Sequence, residues 1–239
     1  MRSMLFQILM TGFFLSTHYF SFSQENRDTI LLQNGKQFPC NITDVDEIRV
    51  DYFQFNKKGK KKTGFIENDR IYEYQKYSGE RSILYVYDTL IGNHFTVPEM
   101  KNFVLGGLDA RENYKDHYWL AAMTFSLSYG AVLFDTYLTK KNADQINADN
   151  PDKNFKPGFF GSEPSYFPLF VPIVLTAVIS IPRFKIRKNQ VGRSHLYTDP
   201  HFKWGYHRIS RQRRLFWQLG GGFAGLGLGY LSYYLFKKN

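Results

Sequence analysis

Residues 220–230 read Gly220-Gly221-Gly222-Phe223-Ala224-Gly225-Leu226-Gly227-Leu228-Gly229-Tyr230. Glycine recurs at 221, 225 and 229, so a helix here carries one face almost without side chains. In lipid, where apolar helices gain little by leaving the solvent, such a face lets two backbones approach closely and form dispersion contacts. The surrounding stretch, 215–236, contains no charged residue and runs into Lys237-Lys238. It reads as a membrane helix. Two apolar segments precede it: 118–138, which carries Asp135 and several hydroxyls, and 166–182, which Pro168 and Pro172 make short and bent. Between them, 139–165 is polar, contains Pro151, Pro157, Gly158 and Pro164, and reads as a loop.

Sliding the chain along itself by 99 residues reveals a duplication. Phe103 falls on Phe202, Gly106 on Gly205 and Tyr118 on Trp217, while Ala122, Ser126 and Gly130 fall on Gly221, Gly225 and Gly229. Two parallel helices with these small faces in contact are the expected arrangement. Just before them, Asp109 and Glu112 align with Arg208 and Arg211, which makes these four residues candidate ion pairs between the two units.

The N-terminus has the succession of a secretory signal in residues 1–23: Arg2, an apolar run from Met4 to Leu15, then Ser21-Phe22-Ser23 with small residues at the −3 and −1 positions. Residues 24–90 are strand-like. Thr29-Ile30-Leu31-Leu32 leads into the hairpin signal Asn34-Gly35, and 47–55 alternates Ile48, Val50 and Tyr52 with Arg49 and Asp51. Further strands are expected at 64–67, 70–77 and 83–87, with a lysine-rich hairpin tip at 57–62. Five or six short strands suit an SH3-like or Sm-like barrel or a twisted meander. A helical linker, 91–117, starts at the capping box Thr96-Val97-Pro98-Glu99. Its Gly106-Gly107 pair weakens that helix. A basic segment, 183–214, separates the second and third apolar segments.

Candidate chemistry is sparse. Gly220, Gly222 and Gly225 match the dinucleotide-binding spacing, but no strand precedes them and no acid follows at the required distance. His195, Asp199, His201 and His207 fit no compact metal-ligand pattern. Asp44, Asp46 and Glu47 lack the glycine and terminal glutamate of a calcium loop. No catalytic, cofactor-binding or metal-binding residues are assigned. Cys40, the single cysteine, cannot form an internal disulfide and reads as a small residue within a strand.

Net charge is +10, and the segment 183–214 alone holds ten Lys or Arg against one acid, Asp199. In an exported chain, that concentration points to anionic lipid headgroups rather than nucleic acid. Aromatic residues, 18% of the chain, flank the apolar segments as at membrane interfaces.

The stretch Asp28-Thr29-Ile30-Leu31-Leu32-Gln33-Asn34-Gly35, and the pairing of Gly106-Gly107-Leu108-Asp109-Ala110 with Gly205-Tyr206 ahead of hydrophobic helices, resemble a group of exported membrane proteins of Bacteroidetes-type bacteria. The resemblance implies architecture and localisation but no activity. The expectation is an α+β protein: a small all-β periplasmic domain followed by a helical module in the inner membrane. It would act as a non-enzymatic envelope component contacting lipid and a second copy or another envelope protein. A transport or channel subunit is the alternative. Three crossings would place 183–214 outside, against the positive-inside rule, whereas two would place it inside.

Overall fold

A computed structural model describes residues 27–56, 58–115, 117–150, 166–180 and 185–237. The expected signal segment 1–23, residues 151–165 of the expected loop and the end of the second apolar segment lie outside the described residues. The chain is α+β, with an all-β N-terminal part.

Six strands, β1 (Asp28–Leu32), β2 (Gln37–Val45), β3 (Arg49–Phe55), β4 (Lys61–Glu67), β5 (Ile71–Gln75) and β6 (Arg81–Ile83), form one antiparallel sheet in the order β4-β3-β2-β1-β5-β6. A 3-10 turn, Asn68–Arg70, joins β4 to β5. β1 sits at the centre of the order and is apolar on both faces. Ile30 packs with Cys40, Val50, Ile71 and Tyr74 inside the sheet, whereas Leu31 points to the other side with Tyr72 and Tyr85. The unbroken Ile30-Leu31-Leu32 run thus serves two cores, as period-two alternation requires of a strand covered on both sides. Asp28 pins this strand at its start by accepting from the amides of Ile42 and Tyr77, both at 2.7 Å.

The second core extends onto α1 (Val97–Asn113) through Met100, Val104 and Leu108. Pro98 sits in the first turn, where its missing N–H costs nothing. The Glu99 carboxylate accepts from the Thr96 amide and hydroxyl, both at 2.8 Å. Those bonds hold the Glu99 pKa below the usual carboxylate value, the amide having the larger effect. The cap's contribution is therefore full above the ordinary carboxylate range and fades as pH falls through the lowered value.

α2 (His117–Asp149) runs beyond the expected boundary at 138. Residues 139–149 contain neither Gly nor Pro, and the breaker that ends the helical pattern is Pro151. A short 3-10 turn (Phe167–Phe170) leads into α3 (Val171–Ser180). α4 (Pro200–Lys237) is one helix of about 57 Å. Part of the expected basic segment, 200–214, is thus the first part of the same helix as the glycine stretch. Asp199 accepts from the Phe202 amide at 2.8 Å, and Pro200 occupies the first turn.

The Asn34-Gly35 turn between β1 and β2 lands on the backbone of α1. Gly35 has φ +73°, and a Cβ there would lie 2.8 Å from the carbonyl carbon of Gly107. Gly59 has φ +71° with open space around it. Gly35→Ala should therefore cost about 1–2 kcal/mol for the left-handed backbone and about 1–3 more for the clash. Gly59→Ala should show only the first cost, and chemical denaturation of the two variants checks the difference.

Candidate functional site

The helical module is organised by α4. A third core joins Ala110 of α1 and Tyr114 just beyond its end to Phe202, Tyr206 and Ile209 of α4, with Ile186 and Val191 from the segment between α3 and α4. α1 and α4 run parallel and make a reciprocal contact. A Cβ on Gly106 would collide with the Phe202 carbonyl, and a Cβ on Gly205 with the Phe103 carbonyl. These are the residues that the 99-residue offset superposes, so the duplicated Phe-x-x-Gly units face each other across a local twofold. Tyr118 and Trp217, also superposed by that offset, meet edge to face at 5.2 Å between ring centroids.

Further along, α2 lies parallel to α4. A Cβ on Gly221 would strike the Ala121 carbonyl, one on Gly225 the Phe125 carbonyl, and one on Gly229 would stand 2.8 Å from Cβ of Val132. The face opposite the glycines is thus Ala121, Thr124, Phe125, Ser128 and Val132. The expected partners Ala122, Ser126 and Gly130 point outward and are exposed. The cause is the break between α1 and α2 around Tyr114 and Lys115, which α4 lacks. It changes the helical phase of α2, so the alignment with α4 slips onto a neighbouring face.

The ion pairs also differ from the alignment. Asp109 is fully buried, and its carboxylate accepts from the amides of Gly192 (3.0 Å) and Arg193 (2.7 Å) and from Asn113 Nδ2 (2.7 Å). Glu112 pairs with Arg193 at 3.2 Å. Arg208 instead lies over the Phe103 ring, and Arg211 is exposed. Arg111 contacts the Asn34 carbonyl at 3.3 Å. Burial, then the neighbouring charges of Arg213 and Arg208, hold the Arg111 pKa below its ordinary value. The α1–α4 seam is therefore cationic, and Asp109 acts on the loop at 191–193 instead.

The polarity of the α2–α3–α4 bundle is inverted. Thr124, Ser128, Thr176 and Gln218 are buried, with the Thr124 hydroxyl 3.1 Å from the Gln218 carbonyl oxygen. The outer surface carries Trp119 (73% exposed), Phe134 (64%), Val178 (66%), Phe216 (79%), Phe223 (50%) and Leu235 (60%). No helix among the described residues is long and apolar enough to cross a membrane.

His195 and His207 do not gather with His201. His201 lies 3.7 Å from Glu99 and 3.8 Å from Asp199, packed against Phe95 and Trp204. Among the described residues, the acidic side chains close enough to share an ion are Asp44, Asp46 and Asp51, at the surface of the sheet. Cys40 is buried, and burial followed by the Asp28 charge pushes its thiol up to about 12. It carries no thiolate at neutral pH.

No family model, curated protein or solved structure matches this chain. The functional reading therefore rests on the geometry.

Removing the Asp109 carboxylate leaves two loop amides without their acceptor. Asp109→Ala should cost about 3 kcal/mol, while Arg208→Gln should cost about 1 kcal/mol or less. Thermal denaturation of both variants checks the order, which reverses if Arg208 is the true partner of α1.

Proposed function

We propose that this chain is a non-enzymatic envelope membrane protein whose α2–α3–α4 bundle sits in the bilayer and presents the β-domain at its surface. The inverted polarity of the bundle carries the reading. Thr124, Ser128, Thr176 and Gln218 lie inside, and large apolar side chains lie outside, which is costly in water but suits hydrocarbon. No single helix among the described residues is both long and apolar enough to cross unaided: α3 has ten residues, and α2 and α4 carry Thr124, Ser128 and Gln218 on their buried faces. The bundle is therefore read as inserting as a unit.

The path of the chain supports three crossings. α2 and α4 run parallel, and Pro172 at the start of α3 packs on Gly222, while Ile186 beyond α3 joins Tyr206 near the beginning of α4. α3 therefore returns antiparallel to its neighbours. The basic residues of 185–214 then lie on the same side as α1 and the sheet. A cleaved signal would make that side periplasmic, in the inner membrane, as the resemblance to exported proteins of Bacteroidetes-type bacteria also implies.

The strand order, with β1 paired to both β2 and β5 and a 3-10 turn before β5, supports an SH3/Sm-like β-domain, a module suited to contacts with an envelope partner. A transport role is less well supported. A polar path would be lined by Asp135 and Ser126; Asp135 is half-buried, but Ser126 is on the outside, and backbone contacts at Gly221 and Gly225 close the α2–α4 seam.

Reporter fusions after Asn150 and after His195 test the arrangement. Three crossings with an exported N-terminus give a cytoplasmic reporter at Asn150 and a periplasmic one at His195. A cytoplasmic reporter at His195 with a periplasmic one at Asn150 would mean that α2 does not cross, leaving two crossings with the basic stretch inside as the positive-inside rule prefers, and would overturn the arrangement. Equal placement of the two would refute three crossings.

A further inference from the structure

We infer that the cleft between the start of α2, the segment 185–190 and α4 is a binding site for the phosphate headgroup of an anionic membrane lipid. This inference rests on the membrane reading above and adds a ligand and a place to it.

The cleft has a volume of about 360 Å³, within the roughly 300–1,000 Å³ of small-molecule sites. Lys185 and Arg187 are on its exposed rim, His207 stands partly buried in its wall, and Ser210 and Arg214 form a buried floor. None of its lining residues is acidic. Three fixed cations and a titratable imidazole around one hollow set up a strong attraction for an anion. The Lys185 ammonium and the Arg187 guanidinium offer charged donors that phosphate oxygens accept and Arg214 adds its charge from below, whereas the Ser210 hydroxyl is engaged with the His207 carbonyl at 3.1 Å.

The position of the cleft selects a lipid over a free anion. Arg214 is the last charged residue of α4 before the uncharged stretch that begins at Leu215. Trp119 and Leu120 line the opposite wall and continue onto the apolar outer surface of α2, where Leu127 and Phe134 are exposed. Tyr118, Trp119 and Trp217 lie at the same level, as aromatic side chains do at the boundary between headgroups and acyl chains. A ligand seated here would meet cations at one end and an open apolar surface at the other. That is the division of a phospholipid and not of a soluble phosphate.

The test uses the full chain reconstituted in phosphatidylcholine vesicles, with or without phosphatidylglycerol. It is then extracted in mild detergent and its retained lipids are counted by native mass spectrometry. The Lys185→Gln, Arg187→Gln double variant removes two exposed rim charges. Lys140→Gln with Lys141→Gln removes the same charge from exposed positions on α2 outside the cleft. Phosphatidylglycerol should be retained about tenfold over phosphatidylcholine, and the rim variant should lose that preference while the α2 variant keeps it. Inorganic phosphate at millimolar concentration should not displace the lipid.

A protein that inserts in both vesicles without preferring phosphatidylglycerol overturns the headgroup site alone. So does equal loss of preference in the two double variants, or displacement by inorganic phosphate. Failure to associate with either vesicle overturns the membrane reading, and the site with it.

Discussion

The structure depends on how closely two backbones approach Gly106 and Gly107. On one side of this pair the α4 backbone arrives at Phe202 and Gly205, and on the other the Asn34-Gly35 turn arrives from the sheet. Glycine in mid-helix costs roughly 1 kcal/mol against alanine, and α1 carries two in succession. At Gly106 the lost propensity is offset by a contact that any Cβ would prevent, and at Gly107 by one that a Cβ would crowd at 3.3 Å from Gly35 Cα. The β-domain, α1 and α4 are thereby locked into one arrangement, which the buried carboxylate of Asp109 extends to the loop at Gly192 and Arg193.

The same device recurs along α4 at Gly221, Gly225 and Gly229, where α2 replaces α1 as the neighbour. Glycines thus form the contact with α2 along the later part of α4, from Gly221 to Gly229, and the bulky Phe216, Phe223 and Leu235 are left to the outside. That division explains why the interior holds Thr124, Ser128 and Gln218 and the exterior Phe216, Phe223 and Leu235. A water-soluble bundle of this size would show the reverse distribution. Until the terminal Lys237, the basic residues of α4 stop at Arg214, at the level where the apolar exterior begins, so charge and hydropathy change together along one continuous helix.

Much of this was legible in the sequence. The Asn34-Gly35 turn, the strands, the Thr96 cap and the offset that pairs Phe103 with Phe202 and Gly106 with Gly205 all rest on local patterns with a direct physical cause. The face of α2 was not legible. It depends on the helical phase after Tyr114, and a break of a few residues shifts phase without altering the alignment that revealed the repeat. The partner of Asp109 was hidden for a different reason. Arg193 and Gly192 come from a loop more than eighty residues away, and backbone amides leave no signature in sequence. The continuation of α2 to Asp149 was available, since the breakers begin only at Pro151, but the polarity of 139–149 read as loop.

Whether the outer surface of the bundle meets hydrocarbon is the most direct question to put to the protein. Cys40, the single cysteine, is buried in the sheet, so nitroxide labels can be placed at introduced cysteines replacing Phe134, Val178 and Phe223. In reconstituted vesicles, electron paramagnetic resonance should show all three relaxed more strongly by dissolved oxygen than by a water-soluble nickel complex. Stronger relaxation by the nickel complex at these positions would place them in water and contradict the account.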